Sequence, residues 1–233
     1  MQDPDSGVDT ILSGAGIAFR DGPSNRSDGL TTYLSLSSLR PSVSTLIPSG
    51  DLRYAAYGYW SVLDEGNNVT SDQDISIGFA AGGYPTQDGD MPTTGSASFL
   101  GAASGLSIAS TGKIQDIIGS AEMNVDFARG ALSGTMTNMK TGDNVDGAAT
   151  PWNDIGFNGT LNGNTFTANA RVTAHPNDLI VGARYSETNL LGRDAVGSVN
   201  GRFYGPQASE AAGTWSLQDS DGNTAVGGFG VKQ

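Results

Sequence analysis

The chain has no cysteine and a single histidine among its 233 residues. Without thiols there is no disulfide staple, thiolate-bound metal or cysteine nucleophile, and one imidazole cannot build a clustered histidine site. Basic residues are also scarce: 12 Lys and Arg face 24 Asp and Glu, for a formal charge of -12. Nucleic acid or an anionic membrane surface would meet a repulsive field with no cationic cluster to offset it, so no nucleic-acid partner is expected. The acids are spread through turns, which reads as a solvated surface. Long apolar runs are missing too. Nowhere do 18 apolar residues stand together, so no transmembrane segment is expected. The first thirty residues lack the basic start and apolar stretch of a signal peptide. Met1 ahead of Gln2-Asp3-Pro4 reads as a start placed on a mature sequence, with the signal segment outside this chain.

What the chain has in excess is glycine, 34 residues, alongside eight Phe, seven Tyr and three Trp. That balance suits an all-β protein of many short strands and tight turns. From Gly95 onward, apolar and polar residues alternate with the period of two that marks half-buried strands, and eight segments can be counted. AEMNVDF, 121–127, sets Met123, Val125 and Phe127 against Glu122, Asn124 and Asp126. FNGTLNGNTFTANA, 157–170, reads as a hairpin whose Asn162-Gly163 step predicts a type I′ turn. In the sixth segment Gly197, Val199, Gly201 and Phe203 share a face, and glycine there predicts a bend or a close approach of backbones.

Eight consecutive strands predict an eight-stranded antiparallel up-and-down β-barrel over 94–233, the closure that removes exposed sheet edges. Such a barrel is filled by side chains or holds one small ligand. Phe99, Met123, Val125, Phe127, Leu161, Phe166, Phe203 and Trp215 are bulky enough to fill it. Residues 1–93 read differently. YLSLSSL, RYAAYGYWSV and DISIGFAAGG are strand-like, but Pro41, Pro48, Pro85 and Pro92 interrupt the region, which predicts a smaller β unit.

GRFYGPQASEAAGTW, 201–215, could hold chemistry or turn a corner. Gly205-Pro206 ends the sixth strand, Gln207 to Ala212 predict about one helical turn, and Gly213 suits a left-handed stop. Glu210, a lone carboxylate, reads as a capping or hydrogen-bonding group rather than a catalytic acid.

The run from Gly201 to Lys232 resembles the closing motif of the β-barrel domain of bacterial transferrin-binding protein B and its relatives. That motif is a Gly-Phe-Tyr-Gly-Pro, Ala-x-Glu, Gly-Gly-Thr-Trp or -Phe pattern, then Gly-x-Phe-Gly-x-Lys. AAYGYW (55–60), GGYPTQDGDMPTTGSASFLG (82–101), the MNVDF strand and the 157–170 hairpin extend the resemblance over roughly the last three-quarters of the chain. Ala212 stands where the family often has a second Gly, and no amino-terminal Cys is present to carry the lipid that anchors many relatives. The resemblance implies a handle-like region before the barrel. It also implies an exported, non-enzymatic binding protein of a Gram-negative bacterium, at the outer-membrane surface or secreted. Its group includes iron-carrier receptors and haem-capturing proteins.

Candidate chemistry is thin. No G-x-S-x-G elbow accompanies the one histidine, which argues against acyl transfer. DSDGN, 219–223, resembles half a calcium loop, but Gly230 stands where the twelfth-position acid belongs, so a hairpin turn is expected and no metal site. The connection Thr173–Ala195 is the most suggestive loop, holding His175, Arg184, Tyr185 and Arg193. His175, ahead of Pro176, is expected in an exposed loop, with Tyr185 as second axial ligand should haem be the cofactor. Loop 140–154 around Trp152 joins it as a candidate rim surface. Expected partners are a host or environmental carrier protein, or haem, with an outer-membrane receptor or secretion channel. Two alternatives stay open: a structural or adhesive envelope protein without soluble ligand, and a small-molecule carrier with its ligand inside the barrel.

Overall fold

A computed structural model describes residues 24–25, 30–37, 52–64, 74–141, 150–179, 182 and 191–233. Two antiparallel sheets account for nearly all the regular structure. The smaller is ordered β1 (Ser24–Asn25), β2 (Leu30–Ser37), β3 (Ala55–Asp64) and β4 (Asp74–Gly83). The larger contains β5 (Ser96–Ile108), β6 (Ile114–Asp126), β7 (Ala131–Thr141), β8 (Thr150–Pro151), β9 (Asp154–Asn162), β10 (Thr165–Ala174), β11 (Val196–Tyr204), β12 (Glu210–Gln218) and β13 (Thr224–Lys232). The short helix α1 (Pro176–Leu179) follows β10.

Each long strand of the larger sheet pairs with its sequence neighbour, β7 passing over β8 to β9, and β13 returns to β5. The result is a closed eight-stranded barrel, as the alternation predicts, with β8 a short addition beside β7. The first two barrel strands run 13 residues each, well beyond the segments visible as alternation. Small residues such as Ala102, Ala103 and Gly105 hide the period of two there.

Inward side chains fill the barrel. Phe203, fully buried, touches the rings of Phe99 at 5.9 Å, Phe127 at 5.9 Å and Phe166 at 5.3 Å, and Phe166 continues to Phe229 at 6.3 Å. Trp215 packs against Trp152 at 6.4 Å. The inward glycines make this possible. Register places Gly201 opposite Phe166, Gly134 opposite Phe157, Gly213 opposite Phe229 and Gly227 opposite Trp215. At each of these glycines a Cβ would press on the ring across from it, so each ring lies over a strand position that has no side chain. The volume that a carrier would need for an internal ligand is occupied by these rings.

Two local expectations change. The β9–β10 loop is Gly163-Asn164, and only Gly163 has positive φ, at 58°. A glycine-first turn of the type II′ kind therefore replaces the Asn-Gly type I′ turn. The helical turn expected over 207–212 is a 3-10 turn at Pro206–Ala208, and β12 already starts at Glu210. Gln207 and Ala208 take φ of 54° and 56°, and Gly213, expected as a helix stop, pairs within the barrel wall. Closing the ring requires β12 to pair with β11 over nine residues, and this outweighs the weak helix preference of Gln-Ala-Ser-Glu.

The small sheet lies on the outer face of β12 and β13. Leu52, Ala55 and Tyr57 pack with Tyr204 and Ala212, and Tyr57 crosses the outward positions of Gly228 and Gly230. Burial pushes the Tyr57 phenol well above its ordinary range, partly offset by a hydrogen bond with Ser104.

Candidate functional site at the loop end of the barrel

Up-and-down connectivity sorts the turns into two ends, and the ends differ in build. At one end the turns Asp126–Ala131, Asn162–Thr165 and Tyr204–Glu210 are short and tied to each other and to the chain leading into β5. Phe127 N donates to Gly95 O at 3.0 Å, Leu161 N to Gly130 O at 2.9 Å, Phe203 N to Asn164 O at 2.8 Å and Thr86 N to Phe203 O at 3.0 Å. Asn164 Nδ2 donates to Thr86 O at 2.6 Å. This end has little freedom to adapt to a partner.

The opposite end carries the Ile108–Ile114 and Gln218–Thr224 turns and both long connections, 141–154 and 174–196. Here side chains act as struts. Asn153, fully buried, clasps the Leu191 backbone, donating to its O at 2.9 Å and accepting from its N at 3.1 Å. Asp219 organises its turn by accepting from Asp221 N at 3.0 Å and Asn223 N at 2.9 Å, and it holds Gly192 N at 2.8 Å. Partial burial raises the Asp219 carboxyl, but the hydrogen bonds from Asn223, Gly192 and Asp221 outweigh it and leave the group below the usual range. Asp194 accepts from Ser220 N at 3.1 Å, and its hydrogen bonds with Ser220 lower its carboxyl. DSDGN is thus a hairpin turn whose lead carboxylate is spent on backbone amides. Among the described residues no group of carboxylates and imidazole could hold a metal ion.

The residues singled out from the sequence fall in different settings. His175 is 4 % exposed, not the exposed loop residue expected. It starts α1: its carbonyl accepts from Asp178 N at 2.9 Å and its Nδ1 from Asn177 N at 3.3 Å. These bonds hold it at the head of the turn. Arg193 is exposed and paired with Asp178, joining the end of the connection to its start. Arg184 and Tyr185 lie outside the described residues. Trp152 is 2 % exposed, its ring on Trp215 and its N donating to Met139 O at 2.8 Å. It caps the aromatic core at the loop end.

Sequence reasoning did not single out Gln115 or Asn153, and it read Asp219 only as part of a hairpin turn. Two buried polar atoms among the described residues have no partner, Gln115 Oε1 and Trp152 Nε1. Gln115 is the second residue of β6, in the inward register of Ile117, so a buried acceptor and a buried donor both stand at the loop end. Gln115 was hidden in a stretch too short on contrast to read as strand. Asn153 and Asp219 gave only the ordinary signals of loop residues. A shallow depression of about 390 Å³ on the outer wall, lined by Ser96, Ser98, Asn124, Asp126 and Ser133, lies near the other end.

Comparison with known proteins places this geometry. Residues 91–233 match the family model described as C-lobe and N-lobe beta barrels of Tf-binding protein B. Transferrin-binding protein B of Haemophilus influenzae is 31 % identical over 170 residues, 70 % of this chain and 25 % of that protein. The Moraxella catarrhalis protein of the same name is 29 % identical over 154 residues, 64 % of this chain and 20 % of that one. This chain therefore spans about a quarter of those relatives or less. Among solved structures, intact Ap-TbpB with its N and C lobes aligns with 96 % of this chain and 39 % of its own, at TM-score 0.58 and 21 % identity. The isotype 1 protein of Neisseria meningitidis aligns with 91 % and 35 %, at TM-score 0.51 and 20 % identity. At such identities the structures speak for the fold, while the family model covers more than half of the chain. The chain belongs to the transferrin-binding protein B β-barrel family.

Proposed function

We propose that this protein is a non-enzymatic, exported binding lobe that captures an iron- or haem-bearing carrier through the loops at one end of its barrel. Residues 1–93 serve as the handle and 94–233 as the barrel. The observation that carries the reading is the asymmetry of the ends. One end is closed by mutually bonded short turns, whereas the other carries the ends of both long connections and, among the described residues, an unpaired buried donor and acceptor. Membership of a family whose curated members are named for binding transferrin supports a cargo of this class. The filled interior leaves recognition to the rim, where loops 140–154 and 173–195 form the contact surface with Arg184, Tyr185 and Arg193, and the buried Trp152 and His175 support it from beneath. The protein works at the outer surface of a Gram-negative cell or is released from it, next to an outer-membrane receptor or secretion channel.

The test is capture by the immobilised chain from host serum, followed by titration with purified transferrin in iron-loaded and iron-free forms. A single stoichiometric partner supports capture; repeated blanks from serum and growth medium favour a scaffold without soluble ligand. The haem version is tested separately by a Soret shift on titration, with His175→Ala as control. No shift removes haem from the reading.

A further inference from the structure

We propose that Glu210 is a carboxylate clip that locks the small sheet onto the barrel, so that the lobe meets a partner as one body rather than as two hinged pieces. Glu210 is the first residue of β12 and is 4 % exposed. Its Oε1 accepts from Arg53 N at 2.7 Å, and its Oε2 accepts from Tyr54 N and Ala55 N, both at 2.8 Å. Three consecutive amides thus converge on one anion, the arrangement of a backbone nest. No cation among the described residues pairs with this carboxylate. The Arg53 guanidinium lies instead over the Tyr54 ring, 5.6 Å from its centroid. The charge is met by backbone dipoles of the entry to β3, so the clip acts only when that segment is in place.

The rest of the 201–215 stretch fits the same purpose. Gly205, at φ 75°, passes flush against Tyr54, where a Cβ would come within 2.5 Å of Cδ2. Gly205 N donates to Tyr84 O at 2.9 Å, Tyr84 N to Tyr54 O at 2.9 Å, and Thr86 Oγ1 to Gly205 O at 2.7 Å. Three chain segments, 53–55, 84–86 and 203–210, therefore meet at this point. The apolar seam beside it is small, built on Leu52, Ala55, Tyr57, Tyr204 and Ala212. It lies on the outward Gly228 and Gly230, which Tyr57 and Leu52 approach closely. The clip adds three bonds to one carboxylate beside the single bonds made by Tyr84 and Thr86. A partner that touches both the small sheet and the barrel then depends on Glu210 without touching it, whereas a partner confined to the loop end does not.

Hydrogen exchange on the full chain tests this. In the wild type the amides of Arg53, Tyr54 and Ala55 are protected as a group, although the Arg53 side chain is exposed. Glu210→Gln is isosteric but turns an NH₂ toward amide donors, so exchange at 53–55 accelerates by about tenfold or more, the loss of a charge-assisted bond. Barrel amides of Trp215 and Phe229 keep their wild-type rates. Free-peptide exchange at Arg53 in the wild type overturns the proposal, as does unchanged protection of all three amides in the variant. Loss of protection at Trp215 in step with Arg53 also overturns it, because Glu210 would then serve barrel folding rather than a separate joint.

Discussion

Gly201→Ala adds one methyl group inside the barrel and tests whether the inward glycines exist to admit rings. Gly201 has ordinary negative φ, so backbone strain is not the issue. The new Cβ would overlap the tip of the Phe166 ring, lie 2.8 Å from Phe166 Cε2 and sit 2.7 Å from Ala212 O. The carbonyl belongs to the β11–β12 ladder and cannot retreat without breaking register. The ring is 1 % exposed and wedged between Phe203 and Phe229, so it cannot swing away alone. Overpacking of this kind costs about 1–3 kcal/mol, against about 0.4–1 kcal/mol gained by restricting the unfolded chain. The net expectation is a loss of roughly 1–2 kcal/mol, or about 2–8 °C in Tm for a chain of this size. Gly89→Ala is the control, since nothing lies within 4 Å of the methyl it would add and its φ is ordinary. Calorimetry on both variants reads the difference. A Gly201→Ala protein as stable as the wild type, or a Gly89→Ala protein equally weakened, would refute the reasoning.

Phe203→Ala removes the ring at the centre of three aromatic contacts. It should lower the unfolding free energy by about 3–5 kcal/mol in urea titration with little change in m. Asp219 has a folded-state pKa below its unfolded value. Its contribution is therefore present above about pH 4 and fades as pH falls through the folded value. Asp219→Asn should be less stable than wild type at pH 7, with the gap closing in acid melts; a gap constant down to pH 2 would contradict this. Tyr57 runs the opposite way. Its raised phenol pKa means stability held below about pH 10 and lost in stronger alkali. Tyr57→Phe should blunt the alkaline loss, read by fluorescence-monitored unfolding between pH 9 and 11.

The barrel was legible because its rule is repetitive. Met123, Val125 and Phe127 alternate with polar neighbours, and eight such segments leave few architectures open. Legibility failed where side chains are small or the answer is set across the sheet. Ala102, Ala103 and Gly105 show no contrast, so the far halves of β5 and β6 were invisible although they are part of the wall. Gln207–Ala212 has the local preferences of a helix turn, but partners on β11 and β13 impose extended backbone from Glu210 onward. The loop-end struts were hidden for a related reason. Asn153 and Leu191 are 38 residues apart, and nothing in either segment announces their pairing. His175 was expected in an exposed loop because Pro176 follows it, yet it stands at the head of α1 with its carbonyl and Nδ1 bonded there, and it is buried.

The glycines explain how a chain this rich in them is compatible with a rigid scaffold. An inward glycine gives up side-chain contacts and costs backbone entropy on folding, yet at Gly134, Gly201, Gly213 and Gly227 the ring opposite covers the vacant position. Outward glycines do the reverse. Gly228 and Gly230 leave a bare strip of wall on which Tyr57 lies, and the small sheet packs there beside Tyr204 and Ala212. One residue type thus sets both the filled interior and the place where the second sheet docks. With interior and flank committed in this way, and one end closed by its own turns, the long connections at the other end are where sequence can vary without disturbing the barrel.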